Sequence, residues 1–389
     1  MFLIFPFSIA ALRPVIIVPT SFASNLFVTG SNLVKDWYCP KNLQNDKVWT
    51  DTSYFADPLR NCLFQWLQLQ WDESKRSAVS HPNATITTSD FGGFDGFVND
   101  PKLEYIPNYE YLIEYFEKFG YQRKINLFGA PFDFRFNPNT ETLKQYYSEL
   151  QKLITDTFAS QNQKVVLVAH GYGASVIQFF LTNYCEDKFK DTYIQKVVYI
   201  TPTFVGSITA DIAMWTGKDS IGFFVGESDY SQDSIHSMGF VHSQMANHDI
   251  MGSDVVFTDP DGKTYTAAEF SDLLQNKKVH YVNQKLFLSS EPFFGQGPTS
   301  PAVPVTILYN SERDTPVRFT AKSWDTAEVE VENGKGDGVV LAASIEKVCK
   351  DINAKCVDLS VPNPYGDHWK IIYLHDTAEA VYSAVMSDN

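Results

Sequence analysis

The strongest constraint on the fold is a strand-turn-helix signature near the middle of the chain. Residues 165–180 read VVLVAHGYGASVIQFF, in which a turn of small residues joins two apolar runs. Runs rich in Val and Ile predict strands at 14–19, 164–169, 196–200, 303–309 and 356–361, and helical periodicity predicts helices at 142–158 and 377–386. Buried strands that alternate with helices indicate a mainly parallel sheet covered on both faces. The sequence therefore predicts an α/β fold.

Length and charge narrow the class of protein further. A chain of 389 residues is long enough for one large α/β domain with added segments. We predict that this domain spans residues 13–389, with cap or lid insertions at about 30–100 and 205–300, where the alternation of strands and helices breaks down. The net charge of −15 argues against nucleic acid as a partner.

The N-terminus and one three-residue motif indicate where the protein is located in or outside the cell. Residues 1–12 end in small residues after an apolar run and resemble a short signal peptide, although a first core strand is the alternative. Asn83 begins an Asn-Ala-Thr triplet, which is a glycosylation acceptor pattern. No later run approaches the ~18–20 apolar residues of a membrane span. We expect a secreted protein, or one of the lysosomal or vacuolar lumen.

Five cysteines are too few for a disulfide scaffold in a chain of this length. Cys39 with Cys62 and Cys349 with Cys356 are candidate disulfides, and a bond between the first two would contribute roughly 3 kcal/mol. Cys185 is then left over, and we expect it to be a buried thiol at the end of a helix.

The turn at residues 169–173 reads AHGYG. It fits the G-x-S-x-G frame of the nucleophile elbow in α/β-hydrolases, where a serine stands at the top of a sharp turn. The serine position holds Gly171, which has no atom that can attack an ester. Glycine also relieves the backbone strain of about 1–3 kcal/mol that such a turn imposes on other residues. The motif predicts an α/β-hydrolase fold that lacks its nucleophile.

Further segments occur in a recognisable order along the chain. They are RPVIIVPTSFASNL (13–26), WYCP (37–40), VWTD (48–51), NCL (61–63), GAPFDFR (129–135), TPTFVGS (201–207), LYNSERDTPVRF (308–319), GKGDGVVLAASIEKVC (334–349) and YGDHWKII (365–372). In this order they resemble the lecithin:cholesterol acyltransferase family, which also includes lysosomal phospholipase A2 and phospholipid:diacylglycerol acyltransferase. The resemblance runs from about Arg13 to near the C-terminus.

The resemblance implies positions for a catalytic triad. In chain order, the nucleophile, acid and base positions are Gly171, Asp337 and His368. The backbone N–H groups of Phe22 and Tyr172 take the place of the oxyanion donors, which need no particular side chain.

The resemblance also implies lids and supporting groups. Aromatic side chains in the lids and insertions are expected to contact lipid, namely Trp49, Phe223, Phe224 and Phe240. Asp133 and Arg135 are expected to form an ion pair that supports the site. The chain departs from the family in the oxyanion loop, where Thr20 and Ala23 replace glycines, and in TPTFVGS, which has lost part of a glycine pattern.

These observations favour a lipid-binding homologue of the family that is catalytically dead or crippled. Removal of the nucleophile from a serine hydrolase costs roughly a millionfold in turnover. The alternative is an active O-acyltransferase or phospholipase A that acts on phospholipids, using Ser175, Ser21 or a water activated by His368. Either protein would contact phospholipid or another acyl lipid, with membrane contact through the lids. We expect no cofactor, no metal and no nucleic acid partner, and the sequence gives no indication of oligomeric state.

Overall fold

A six-stranded parallel sheet forms the centre of the molecule. The computed structural model describes residues 12–99, 103, 106–218, 230–276, 284–324, 328–362 and 364–388. The strands are β1 (Val15–Val18), β2 (Leu127–Gly129), β3 (Val165–His170), β4 (Ile194–Ile200), β5 (Val305–Tyr309) and β6 (Lys355–Asp358). Their order across the sheet is β6-β5-β4-β3-β1-β2, and every neighbouring pair is parallel.

The predicted strands are confirmed, and their composition explains their place. All residues of β1 and β3 are buried, as expected for Val- and Ile-rich strands covered on both faces. The two core clusters of buried side chains lie on opposite faces, since Ile16 and Val18 of β1 belong to one cluster and Val15 and Ile17 to the other.

Helices cover the sheet and connect its strands. The predicted helix at 142–158 runs from Glu141 to Gln161 and ends where Asn162 takes a left-handed conformation. The other helices are Leu59–Leu67, Glu110–Lys118, Tyr172–Phe179, Asp187–Tyr193, Ile208–Thr216, Ser231–Ile235, Gly239–Ser243, His248–Met251, Ala267–Gln275, Gln284–Leu288, Glu291–Phe294, Ala342–Asp351 and His375–Met386. In the part of the chain described, none of the helices is long and apolar enough to span a bilayer.

Three small sheets lie outside the central one. A three-stranded sheet has the order Asn42–Trp49, Leu26–Ser31, Ala84–Thr87, and Gln70–Asp72 pairs with Ser77–Val79. A four-stranded sheet has the order Thr264–Thr266, Val255–Thr258, Arg313–Ala321, Val329–Gly336. The sequence predicted none of these strands. Much of this structure falls within residues 30–100 and 205–300, but that either segment opens as a lid stays a prediction.

Both predicted disulfides are present, between Cys39 and Cys62 and between Cys349 and Cys356. Cys185 is a buried free thiol just after the segment Phe180–Tyr184, and burial raises its pKa to about 12. Asn83 is exposed, so a glycan would be accessible there, although glycosylation stays a prediction. Residues 1–11 of the predicted signal peptide lie outside the described residues.

Candidate active site

Gly171 forms the sharp turn that connects β3 to the helix Tyr172–Phe179. Its backbone has φ 51° and ψ −118°, a combination that glycine adopts at low cost. Two residues later, a Cβ at Gly173 would lie 2.2 Å from the carbonyl oxygen of Pro19, so the helix can approach β1 only with glycine there. The geometry of a nucleophile elbow is therefore preserved, while the side chain at its top is absent.

Asp337 and His368 come together at the carboxyl ends of the parallel strands, next to this turn. Nδ1 of His368 lies 2.7 Å from Oδ2 of Asp337, and the backbone N–H of His368 donates to the carbonyl oxygen of Asp337. The other carboxylate oxygen of Asp337 accepts the backbone N–H groups of Val339 and Val340. Both side chains are buried. The pair has the arrangement in which a carboxylate orients a histidine as a general base.

The opposite ring nitrogen of His368 faces the elbow. An ideal Cβ at Gly171 would lie 3.0 Å from Nε2 of His368, so the ring points to the place where a nucleophile would stand. Nε2 is buried and has no hydrogen-bond partner within the described residues. In the neutral ring, the bond from Nδ1–H to Asp337 leaves a lone pair on Nε2 that is aimed at this space.

A second histidine connects the base to the oxyanion loop. Nε2 of His170 lies 2.9 Å from the carbonyl oxygen of His368, so this nitrogen donates. Nδ1 of His170 therefore accepts from the Tyr109 hydroxyl at 2.8 Å, and that hydroxyl accepts the backbone N–H of Thr20 at 2.8 Å. Burial, with the nearby His368 ring, lowers the pKa of His170 to about 3. The histidine is thus a neutral structural bridge.

The oxyanion loop adopts an unusual backbone at one of the predicted donors. Phe22 has φ 63°, in the left-handed region, and its carbonyl oxygen accepts the indole N–H of Trp49 at 2.7 Å. The backbone N–H of Tyr172, the other predicted donor, is directed to Oγ1 of Thr20 at 3.1 Å. The structure thus places the predicted loop and the elbow against each other, with the Thr20 hydroxyl between them.

Aromatic rings cover the oxyanion loop. The ring of Phe22 packs against Trp49, Phe134, Phe240 and Trp369, with centroid distances of 5.0 to 6.4 Å. Two of the predicted lid aromatics, Trp49 and Phe240, therefore lie at the site and are buried. The other two, Phe223 and Phe224, lie outside the described residues.

The predicted ion pair of Asp133 and Arg135 is present and buried, with its shortest contact at 2.6 Å. The guanidinium also donates to the hydroxyl of Ser80 and to the carbonyl oxygen of Leu67. Both acceptors belong to the inserted segment at 30–100. The ion pair therefore ties this insertion to the segment that follows β2.

Neither alternative serine occupies the place of the nucleophile. The hydroxyl of Ser175 lies 3.2 Å from that of Thr203, with which it shares a hydrogen bond. Ser21 is buried, and its hydroxyl finds no hydrogen-bond partner among the described residues. The sequence did not identify Tyr109, which lies 61 positions before His170 in a segment without a motif. No group of three or more His, Cys, Asp or Glu side chains suited to a metal occurs in the described part of the chain.

Comparisons with known proteins agree with this geometry. The family model described as Lecithin:cholesterol acyltransferase matches residues 44–230. The chain is 24% identical to Lecithin-cholesterol acyltransferase-like 1 of Arabidopsis thaliana, over 85% of this chain and 81% of that protein. It is 24% identical to mouse phosphatidylcholine-sterol acyltransferase (78% and 68% covered) and 22% identical to bovine lysosomal phospholipase A and acyltransferase (84% and 80% covered).

A solved structure supports the fold independently. The crystal structure of the Tle4-Tli4 complex contains a chain with a TM-score of 0.58 to this one, at 11% identity, covering 96% of this chain and 98% of that chain. At that identity the likeness concerns the fold alone. The architecture is an α/β-hydrolase fold.

Proposed function

We propose that this chain is a member of the lecithin:cholesterol acyltransferase family, to which its sequence is similar, and that it binds phospholipid or another acyl lipid without transferring the acyl chain. The observation that carries the proposal is Gly171 at the elbow, opposite a complete Asp337–His368 pair. A base without a hydroxyl to activate cannot form an acyl-enzyme. The chain is then a lipid-binding homologue of an acyltransferase and phospholipase family.

The aromatic surface supports contact with lipid. Trp37, which lies two residues before the disulfide-bonded Cys39, is 87% exposed and packs edge-on against Tyr38. An indole exposed to this extent is unfavourable in water and suits the interface of a membrane, where its apolar body and polar N–H are both accommodated. The net charge of −15 means that this contact is apolar rather than electrostatic.

The two disulfides fit an oxidising compartment. We propose that the protein is secreted or lies in a lysosomal or vacuolar lumen, with phospholipid as its ligand. One of the relatives is named as a lysosomal protein, which fits the second of these locations.

A second function is favoured by one observation, the unpartnered Nε2 of His368. If the Thr20 side chain moved aside, a water could reach this nitrogen, be activated by the Asp337–His368 pair and hydrolyse a phospholipid ester slowly, as a phospholipase A does. In this alternative the elbow needs no serine, because the water is the attacking group.

Release of fatty acid from phosphatidylcholine vesicles distinguishes the two functions. Wild type, His368→Ala and Asp337→Asn are compared at equal concentration, with a lipid alcohol present to capture transferred acyl groups. We expect all three proteins to match the buffer rate in both hydrolysis and transfer. Turnover by wild type that His368→Ala abolishes would instead establish the water-based enzyme.

A further inference from the structure

The Thr20 side chain stands in the space that a serine at position 171 would need. A Cβ built on Gly171 would lie 2.2 Å from Oγ1 of Thr20 and 3.0 Å from its Cβ. The first distance is far inside van der Waals contact. Rotation of the threonine about χ1 moves Oγ1 but not Cβ, so it leaves the second close approach unchanged.

The same hydroxyl accepts the hydrogen bond of the N–H group that is the predicted oxyanion donor of the elbow. The backbone N–H of Tyr172 donates to Oγ1 of Thr20 at 3.1 Å. In acyl transfer, such an N–H must point to the oxygen that becomes negative in the transition state. Here it points to an oxygen of the protein, so a substrate carbonyl would have to displace the threonine hydroxyl.

The loop that carries Thr20 is held in place. Thr20 is wholly buried, and its backbone N–H donates to the hydroxyl of Tyr109. That hydroxyl in turn donates to His170, which is bonded to the backbone of His368. The threonine is therefore fixed to the same network that positions the base.

From these contacts we infer that Thr20 and Gly171 are a coupled pair, in which the threonine side chain fills both the nucleophile space and the oxyanion hole. The chemistry is blocked at two points, and a serine at position 171 is insufficient to restore it. Removal of the threonine side chain opens both the nucleophile space and the oxyanion hole. This inference rests on the proposed function at one point only, which is that the blocked reaction is attack on an acyl ester.

The test uses an alkyl fluorophosphonate, which reacts with the hydroxyl of an activated serine. A bond forms between Oγ of the serine and phosphorus, the P–F bond breaks, fluoride leaves, and His368 takes the serine proton. Intact-protein mass spectrometry follows adduct formation in wild type, Thr20→Gly, Gly171→Ser and the double variant Thr20→Gly/Gly171→Ser.

We expect the double variant to form the adduct at least about 100-fold faster than Gly171→Ser, since loss of one oxyanion donor costs about 10²–10³ in rate. Wild type and Thr20→Gly should form none. Equal rates for Gly171→Ser and the double variant overturn the inference, and so does a folded double variant that fails to react. An adduct on Thr20 of wild type also overturns it, because the threonine would then be a nucleophile.

Thermal unfolding provides a second test that needs no reaction. Gly171→Ala adds only a Cβ, and the strain from its positive φ is the same whether residue 20 is threonine or glycine. We expect Gly171→Ala to lower Tm more in the Thr20 background than in the Thr20→Gly background. Equal losses in the two backgrounds overturn the coupling. Because the probe carries no lipid head group, neither result bears on whether wild type binds phospholipid, and hydrolysis by wild type is measured separately with phosphatidylcholine vesicles.

Discussion

Nδ1 of His368 lies 2.7 Å from Oδ2 of Asp337 in a site whose nucleophile position is glycine. The carboxylate is placed to orient the histidine, while the position that faces Nε2 of His368 carries no hydroxyl. The hydrogen bonds of Asp337 and His368 also join the loop after β6 to the loop before the helix Ala342–Asp351. These bonds predict that the pair stabilises the fold.

His368→Ala should lower the free energy of unfolding by about 3 kcal/mol. The substitution removes the partner of a carboxylate that is only 2% exposed, which leaves a buried charge incompletely bonded. Urea unfolding measures the change, with the exposed His375→Ala as the matched control, for which we expect about 0.5 kcal/mol or less. A loss no larger than that of the control would contradict a structural role.

His170 should make stability depend on pH in a defined window. Its pKa of about 3 in the fold lies below the usual 6.5, so the unfolded chain binds a proton that the folded chain excludes. Stability from this group is complete above pH 6.5 and is lost as pH falls toward 3, by about 2 kcal/mol at pH 5.

His170→Gln keeps one donor and one acceptor but does not titrate. When the pH falls from 7 to 5, the unfolding free energy of wild type should therefore decrease by about 2 kcal/mol more than that of this variant. His375→Gln, at an exposed site, serves as the control. An unchanged difference would show that His170 is not excluded from protonation in the fold.

Thr201→Gly should stabilise the protein by about 1 kcal/mol. Thr201 is buried at φ 42°, in a region that β-branched residues rarely adopt, and its hydroxyl has no partner within the described residues. Release of this strain outweighs the added entropy of glycine in the unfolded chain. Thr201→Ser keeps the Cβ and should give no comparable gain in urea unfolding. A gain from serine equal to that from glycine would rule out backbone strain as the cause.

Trp37→Ala should weaken binding to phosphatidylcholine vesicles about tenfold. Transfer of some 60 Å² of the indole from water into lipid is worth roughly 1.5 kcal/mol, which corresponds to that factor. Vesicle co-flotation measures the change. Ile125→Ala is the control, because Ile125 is 51% exposed and precedes β2, at the end of the sheet opposite the site. Equal affinities for the two variants would mean that Trp37 does not contact the membrane.

Five of the six central strands could be predicted from sequence, because runs such as that of β3 are rich in Val and Ile. The sixth, β2, reads LFG and was not predicted. The strands Arg313–Ala321 and Val329–Gly336 could not be predicted, since they are rich in charged residues and most of their positions are not buried. Their pairing is fixed by tertiary contacts along the hairpin. Local sequence carries little information of that kind.

Part of the candidate site could likewise be predicted from sequence, and part could not. Motif order placed Gly171, Asp337 and His368, because catalytic positions recur in a fixed order along the chain. The position of Thr20 against Gly171 is a contact between residues 151 positions apart, which no local pattern reveals. The structure shows that the space for a serine is already filled.

We propose that the protein holds a phospholipid without cleaving it. The most direct measurement incubates wild type with phosphatidylcholine vesicles, re-isolates the protein and identifies the lipid bound to it by mass spectrometry. We expect intact phosphatidylcholine, in the same amount for His368→Ala. Lysophosphatidylcholine that accumulates with wild type but not with His368→Ala would contradict this proposal.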